Sequence, residues 1–134
     1  MSTWHQMVEL ALSPLDKSKA GSAEMTYVVS YLLDQSGVSH HCRSGYVRCA
    51  ETGEVILGHC WVELEDGWVV DLTIGRCFGF DPTYPHGVFE LDEYPDMEFQ
   101  GLPFFPIELD REMLDAMSDF VLDDIMLPGW SEAA

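Results

Sequence analysis

The chain has 134 residues, of which 47% are hydrophobic, and it carries 24 acidic against 6 basic side chains, a formal net charge of −18. This size and apolar content predict one folded domain over residues 1–134. The negative charge argues against ordinary nucleic-acid binding, because such a surface repels phosphate backbones. No apolar run approaches the roughly 20 residues of a membrane helix, and no signal-peptide pattern is present, so we expect a cytoplasmic protein.

Hydrophobic periodicity predicts two helices in the first third of the chain. A short one spans residues 1–12, and residues 14–21 form a linker. From Ser22 to Gly37 the apolar residues recur at helical spacing, and Gly37 is a typical helix stop. Ser22 falls on the buried stripe of this helix in its first turn, whereas Ala23 does not.

Two strands follow, over residues 39–50 and 55–65, and the second continues into a hairpin. A three-residue loop, Glu65–Gly67, pairs Leu64 with Trp68 and places His59 diagonally across from Asp71, at roughly 7–8 Å. A two-residue turn would put His59 and Asp71 on opposite faces, so we prefer the longer loop. One hairpin face then carries only apolar residues, and the other, expected to be wetter, carries six residues: His59, Trp61, Glu63, Val69, Asp71 and Thr73.

Residues 75–106 are rich in Pro, Gly and aromatic residues, which indicates an irregular wrap. A last helix is predicted from Asp110 to about Met126, with Asp110 as its cap. The chain is therefore expected to be α+β: a helix packed on a small antiparallel sheet, an irregular wrap and a C-terminal helix.

The expected pairing of His59 with Asp71 would supply two members of a catalytic triad. A carboxylate bonded to one imidazole nitrogen fixes the ring and leaves the other nitrogen to accept a proton from a nucleophile. Cys60 neighbours His59 on its strand and so points to the opposite face, which makes it a core residue. Ser22 lies at a helix N-terminus, where backbone donors and the dipole favour an anion.

These segments resemble the transglutaminase-like branch of the papain-like cysteine fold. The matching pieces, over about residues 20–74, are Gly21-Ser22, Gly37-Val38, Ser44-Gly45-Tyr46-Val47, His59-Cys60-Trp61-Val62-Glu63 and Gly67-Trp68-Val69-Val70-Asp71-Leu72-Thr73. The resemblance implies a papain-like core and acyl transfer through a covalent intermediate, acting on a protein or peptide substrate by hydrolysis or by transfer to an amine. It implies no cofactor. Carried over by position, His59 is the base and Asp71 its orienting acid.

The nucleophile of that family is a cysteine, and its position falls on Ser22, or on Ala23 if the alignment slips by one. Three explanations stay open: a working serine variant, an engineered replacement of a cysteine, and a natural pseudoenzyme. A serine depends more on its base than a thiol does. Trp61 and Thr73, on the face of His59, are candidate substrate contacts, although a solvated sheet face explains Thr73 equally well.

Simpler interpretations stand beside this one. Ser22 is a good helix cap, and Asp71 can close a turn through its own backbone. Zinc binding is disfavoured, because adjacent strand residues point opposite ways; the residues considered are His40, His41, Cys42, His59, Cys60, Cys77 and His86. The four cysteines lack the spacing of a disulfide scaffold and are expected to be reduced.

Charge supports an alternative of a different class. Residues 81–134 hold 14 acids and only one base, Arg111. This acidic C-terminal extension either keeps the protein in solution or docks on a basic protein partner, as a nucleic-acid mimic would. A mimic needs displayed charge and no contact between His59 and Asp71.

Overall fold

The computed structural model describes residues 3–129, and these residues form an α+β fold. The helices are α1 (Thr3–Leu12), α2 (Ser22–Gln35) and α3 (Arg111–Met117). The strands are β1 (His40–Cys49), β2 (Val55–Leu64), β3 (Val69–Asp71), β4 (Gly87–Phe89) and β5 (Met97–Phe104). None of the helices in residues 3–129 has the length and apolar character that a membrane crossing requires.

The strands pair antiparallel in one sheet with the order β4-β3-β2-β1-β5. Val62 and Val70 point to the face on which α1 and α2 pack, here called the helix side. Their strand neighbours Trp61 and Val69 point the other way and pack with residues from the segment 74–99 on the face called the wrap side. The prediction of a helix packed on an antiparallel sheet is confirmed.

The hairpin of β2 and β3 has the predicted register. Leu64 N donates to Trp68 O at 2.8 Å across the loop, and Gly67 has the left-handed φ of +87° that such a loop requires. Val62 pairs with Val70, so Trp61 lies opposite Asp71. His59 and Asp71 therefore point to the same face of the sheet.

The expectation that this face is the wetter one is wrong. His59, Trp61, Val69 and Asp71 are all buried. Aromatic residues from the segment 74–99 cover the wrap side and form a second apolar cluster there. Periodicity within a hairpin shows which residues share a face, but it does not show what a distant segment places on that face.

A bulge interrupts the pairing of β1 and β2 close to His59. Gly45 lies opposite His59, whereas the next residue of β1 lies opposite Leu57, so Gly58 is an extra residue on β2. Bulges redirect the side chains next to them. Ile56 packs in the wrap-side cluster, and Leu57 therefore points to the helix side.

Two predictions for the second half of the chain are wrong. The segment 75–106 contains the short strand β4 and the eight-residue strand β5, which pairs along β1. The last helix ends at Met117 and not near Met126, because Asp119 and Phe120 adopt left-handed φ angles of +57° and +62° that no α-helix can continue. The cap is as predicted, since Asp110 Oδ1 accepts from Met113 N at 2.8 Å.

Candidate active site

His59 and Asp71 form a buried hydrogen-bonded pair. Nε2 of His59 donates to Oδ2 of Asp71 at 2.6 Å, and the two residues are 4% and 3% exposed. A carboxylate accepts only, so this contact places a proton on Nε2, and in the neutral imidazole the lone pair is then on Nδ1. The imidazole is thereby prepared to take a proton at Nδ1.

The other oxygen of Asp71 is also fully engaged. Oδ1 accepts from Ile74 N at 2.9 Å, from Thr73 N at 3.0 Å and from Thr73 Oγ1 at 3.2 Å. These bonds close the turn that follows β3, so the simpler interpretation of Asp71 as a turn-closing residue describes one of its oxygens. The remaining oxygen is held in place against His59.

Trp61 supports the imidazole from the side. Its ring stacks on His59 with centroids 6.0 Å apart and meets the edge of Phe99 at 5.3 Å. A Cβ on Gly101 would come within 2.7 Å of the Trp61 ring, so only glycine leaves room for the ring there. Trp61 and Thr73 are both buried. Their role as substrate contacts stays a prediction, and in the structure they hold His59 and Asp71.

Ser22 is the first residue of α2 and lies where β2 and β3 separate. In the hairpin register Cys60 falls opposite Leu72, which is beyond the end of β3. The peptide N–H of Cys60 donates to Ser22 Oγ at 3.2 Å instead. Because that nitrogen is bonded to the carbonyl carbon of His59, the start of α2 lies directly beside the histidine.

The site is closed in this conformation. Ser22, Cys60, Asp71 and Thr73 line a small space between α2 and the sheet that has no room for a water molecule. Among the hydrogen bonds of residues 3–129, none joins Ser22 to His59. Ser22 is partly exposed, whereas His59 is buried. Contact between Ser22 Oγ and His59 Nδ1 therefore requires a change from this conformation.

Arg76 is a site residue that the sequence analysis did not identify. It follows β3 in a short turn, Ile74–Phe78, and its guanidinium donates to Ala20 O at 2.7 Å and to Ser18 O. Arg76 thus ties the segment after Asp71 to the loop that leads into Ser22. The sequence signal for this residue was its isolation, because it is the only lysine or arginine between residues 49 and 110.

Cys42, Cys49 and Cys60 are buried, and Cys77 is exposed. Burial raises the pKa of the Cys42 thiol, and burial together with the nearby charge of Asp71 raises the pKa of Cys77. Cys60 is buried, as predicted for a core residue. In the part of the chain that the structure describes, no three His, Cys, Asp or Glu side chains are arranged to hold a metal ion.

The sequence matches no family model, and comparisons with curated proteins and with solved structures likewise found no significant similarity.

Proposed function

We propose that this protein is an acyl-transfer enzyme of the transglutaminase-like, papain-like type, either a peptide or isopeptide hydrolase or an amine acyltransferase. Ser22 is the nucleophile, His59 the base and Asp71 the orienting acid. The observation that carries the proposal is the buried 2.6 Å bond between His59 and Asp71 beside the first residue of α2.

The proposed reaction has two halves. Ser22 Oγ attacks the carbonyl carbon of the substrate while His59 Nδ1 takes the hydroxyl proton, and the carbonyl oxygen becomes an anion. The free N–H groups in the first turn of α2 stabilise that anion. His59 then returns the proton to the leaving group, and the acyl group stays on Oγ. In the second half Nδ1 takes a proton from water or an amine as it attacks the acyl carbon, and the proton then goes to Ser22 Oγ as the bond between Oγ and the acyl carbon breaks.

The nature of residue 22 decides how fast this reaction runs. Ser22 Oγ already accepts a hydrogen bond from Cys60 N. The same N–H would stabilise a thiolate at this position, in addition to the helix dipole. The site therefore suits a cysteine at least as well as a serine, and of the three explanations for Ser22 only the working serine variant implies activity of the unchanged chain.

Acylation by an activated ester tests the proposal. The protein is mixed with p-nitrophenyl acetate, and the acetylated residue is located by mass spectrometry in four forms: the unchanged chain, Ser22→Ala, Ser22→Cys and His59→Ala in the Ser22→Cys background. We expect an acetyl group on residue 22 of Ser22→Cys, from which a primary amine or water then releases it. This acetyl group should be missing from Ser22→Ala and from the variant that combines Ser22→Cys with His59→Ala. If Ser22→Cys is acetylated to the same extent with and without His59→Ala, the proposal is contradicted.

A second candidate function rests on the display of the C-terminal acids. None of the acidic residues from Asp81 to Asp124 is buried. In this alternative the protein binds a basic partner and does no chemistry. Binding to poly-L-lysine should then weaken when the exposed acids Glu108, Asp110 and Glu112 are replaced by their amides, and it should be unchanged by His59→Ala. Acylation by the proposed enzyme should show the reverse sensitivity.

A further inference from the structure

The sheet extends beyond the start of α2, and its helix side is uncovered there. α2 begins beside Cys60, and Ser44 of β1 and Leu102 of β5 lie in the same row across the sheet. One step further from the helix, Tyr46 pairs with Leu57, which the bulge turns to this side. The exposed face of the sheet therefore starts at the candidate nucleophile.

Large side chains lie on this uncovered face, and three of them are closest to the start of α2. Tyr46, Leu57 and Leu102 are 38%, 79% and 77% exposed; they are called the apolar shelf below. Cross-strand neighbours are about 5 Å apart and successive residues on one face about 7 Å apart. The shelf is thus roughly 7–10 Å from Cys60, or two to three residues of an extended peptide whose carbonyl group is at Ser22.

The far end of the shelf is acidic. The turn between β1 and β2 carries Glu51 and Glu54, and Ala50 N of the same turn donates to Asp96 O at 2.8 Å, which brings a third exposed acid alongside. The base at this end, Arg48, is already paired with Glu98 at 3.3 Å.

We infer that the acyl donor is an extended segment of a basic protein, with a large apolar side chain on the shelf and cationic residues over the acidic far end. This rests on the proposed function and adds the substrate class to it. The apolar shelf removes the apolar side chain from water. The acids at the far end, within a net charge of −18, attract cations and repel acidic segments.

Peptide vinyl sulfones test this inference on the Ser22→Cys variant, where the introduced sulfur adds to the terminal vinyl carbon and a proton goes to the neighbouring carbon. Three peptides are compared: acetyl-Arg-Arg-Leu-Ala-Gly, the same peptide with Glu-Glu in place of Arg-Arg, and the same peptide with Ser in place of Leu. We expect the first to react about tenfold faster than each of the others, because burial of part of the leucine side chain and, at low salt, attraction of the two arginines each favour binding. Raising the salt concentration should reduce the rate difference between the Arg-Arg and Glu-Glu peptides, and it should leave the rate difference between the Leu and Ser peptides unchanged.

Surface variants provide the matched control. Leu57→Ser and Leu102→Ser should each remove most of the preference for leucine, whereas Leu10→Ser, which changes an equally exposed leucine on α1, should leave it unchanged. Three peptides that react within twofold of one another would overturn the inference, while a rapid, His59-dependent reaction with plain ethyl vinyl sulfone would still support the proposed function. Slow reaction with ethyl vinyl sulfone, at the rate of a free thiol, would overturn both.

Discussion

His59 and Asp71 are twelve residues apart in sequence, yet Nε2 and Oδ2 lie 2.6 Å apart in the interior of the sheet. The loop of the β2–β3 hairpin brings them to one face, and the bonds of Thr73 and Ile74 to Oδ1 fix the carboxylate. This arrangement determines which imidazole nitrogen is free, and the first prediction depends on it.

Asp71→Asn should disable the imidazole without unfolding the protein. The amide oxygen must take the place of Oδ1, because two backbone N–H groups donate there. The amide NH₂ then faces His59 and donates to Nε2, which moves the ring proton to Nδ1 and leaves no base. We expect alkylation of the Ser22→Cys thiol by iodoacetamide to slow by a factor on the order of 100, and ¹⁵N NMR to show the changed tautomer.

Asp110→Asn is the matched control for this change. It alters an exposed helix cap far along the chain, and asparagine caps as well as aspartate. Its alkylation rate should equal that of Ser22→Cys alone. An Asp71→Asn variant that reacts at the same rate as Asp110→Asn would show that the carboxylate has no part in the site.

Gly101→Ala should disturb His59 through Trp61. The added Cβ would lie 2.7 Å from the Trp61 ring and 2.8 Å from Ser44 O, so the ring must move against the imidazole that it stacks on. We expect a loss of about 1–3 kcal/mol in the free energy of unfolding and a slower alkylation of the Ser22→Cys thiol. Urea unfolding and alkylation kinetics on the same samples measure both effects.

Gly53→Ala separates strain from a specific effect on the site. Gly53 has open space around it and a φ of +77°, so alanine there costs about 1 kcal/mol of backbone strain. This variant should be less stable, and its Ser22→Cys thiol should be alkylated at the same rate as in Ser22→Cys alone. Equal alkylation rates in the two glycine variants would contradict the role of Trp61.

Arg76→Met should loosen the loop before Ser22. The methionine keeps much of the apolar stem and loses the bonds to Ala20 O and Ser18 O. Hydrogen bonds from a charged donor contribute about 1.5–3 kcal/mol, and we expect destabilisation near 2 kcal/mol together with roughly tenfold slower alkylation of the Ser22→Cys thiol. Arg48→Met, which removes an exposed ion pair, should change stability by less than about 1 kcal/mol and leave the rate unaltered.

Cys77 should react slowly near neutral pH although it is exposed. Burial of its sulfur and the negative charge of Asp71 raise its pKa above the usual value, so less thiolate is present at any given pH. In the unchanged chain, labelling of Cys77 by iodoacetamide should therefore increase steadily as the pH rises above about 8. Rapid labelling of Cys77 at pH 7 would contradict this, and mass spectrometry of the digested protein locates the label.

The register of the β2–β3 hairpin was predictable because it depends on a local pattern of apolar residues. The register that separates apolar from mixed positions also places His59 and Asp71 on one face, and the structure has that register. The burial of that face was not predictable, since it depends on contacts between the sheet and the segment 74–99. β5 was missed for a related reason: its apolar residues are interrupted by Gly101 and Pro103, and long-range pairing with β1 outweighs these breakers.

The position of Ser22 was only partly predictable. Helical periodicity placed Ser22 at the start of α2. The gap in the sheet beside Ser22 arises because β3 ends at Asp71, before Leu72, and only the structure shows where this strand ends. Arg76 had no periodic pattern at all, because its role is to bond two loops that are distant in sequence.

The pH dependence of alkylation at residue 22 tests the central claim most directly. In Ser22→Cys, a thiol at the start of α2 beside His59 should exist partly as thiolate at about pH 6, so its reaction with iodoacetamide should remain rapid there and slow by at least tenfold after His59→Ala. A rate that rises only near pH 8.5, as for a free thiol, and that His59→Ala does not alter would show that Ser22, His59 and Asp71 do not form one site.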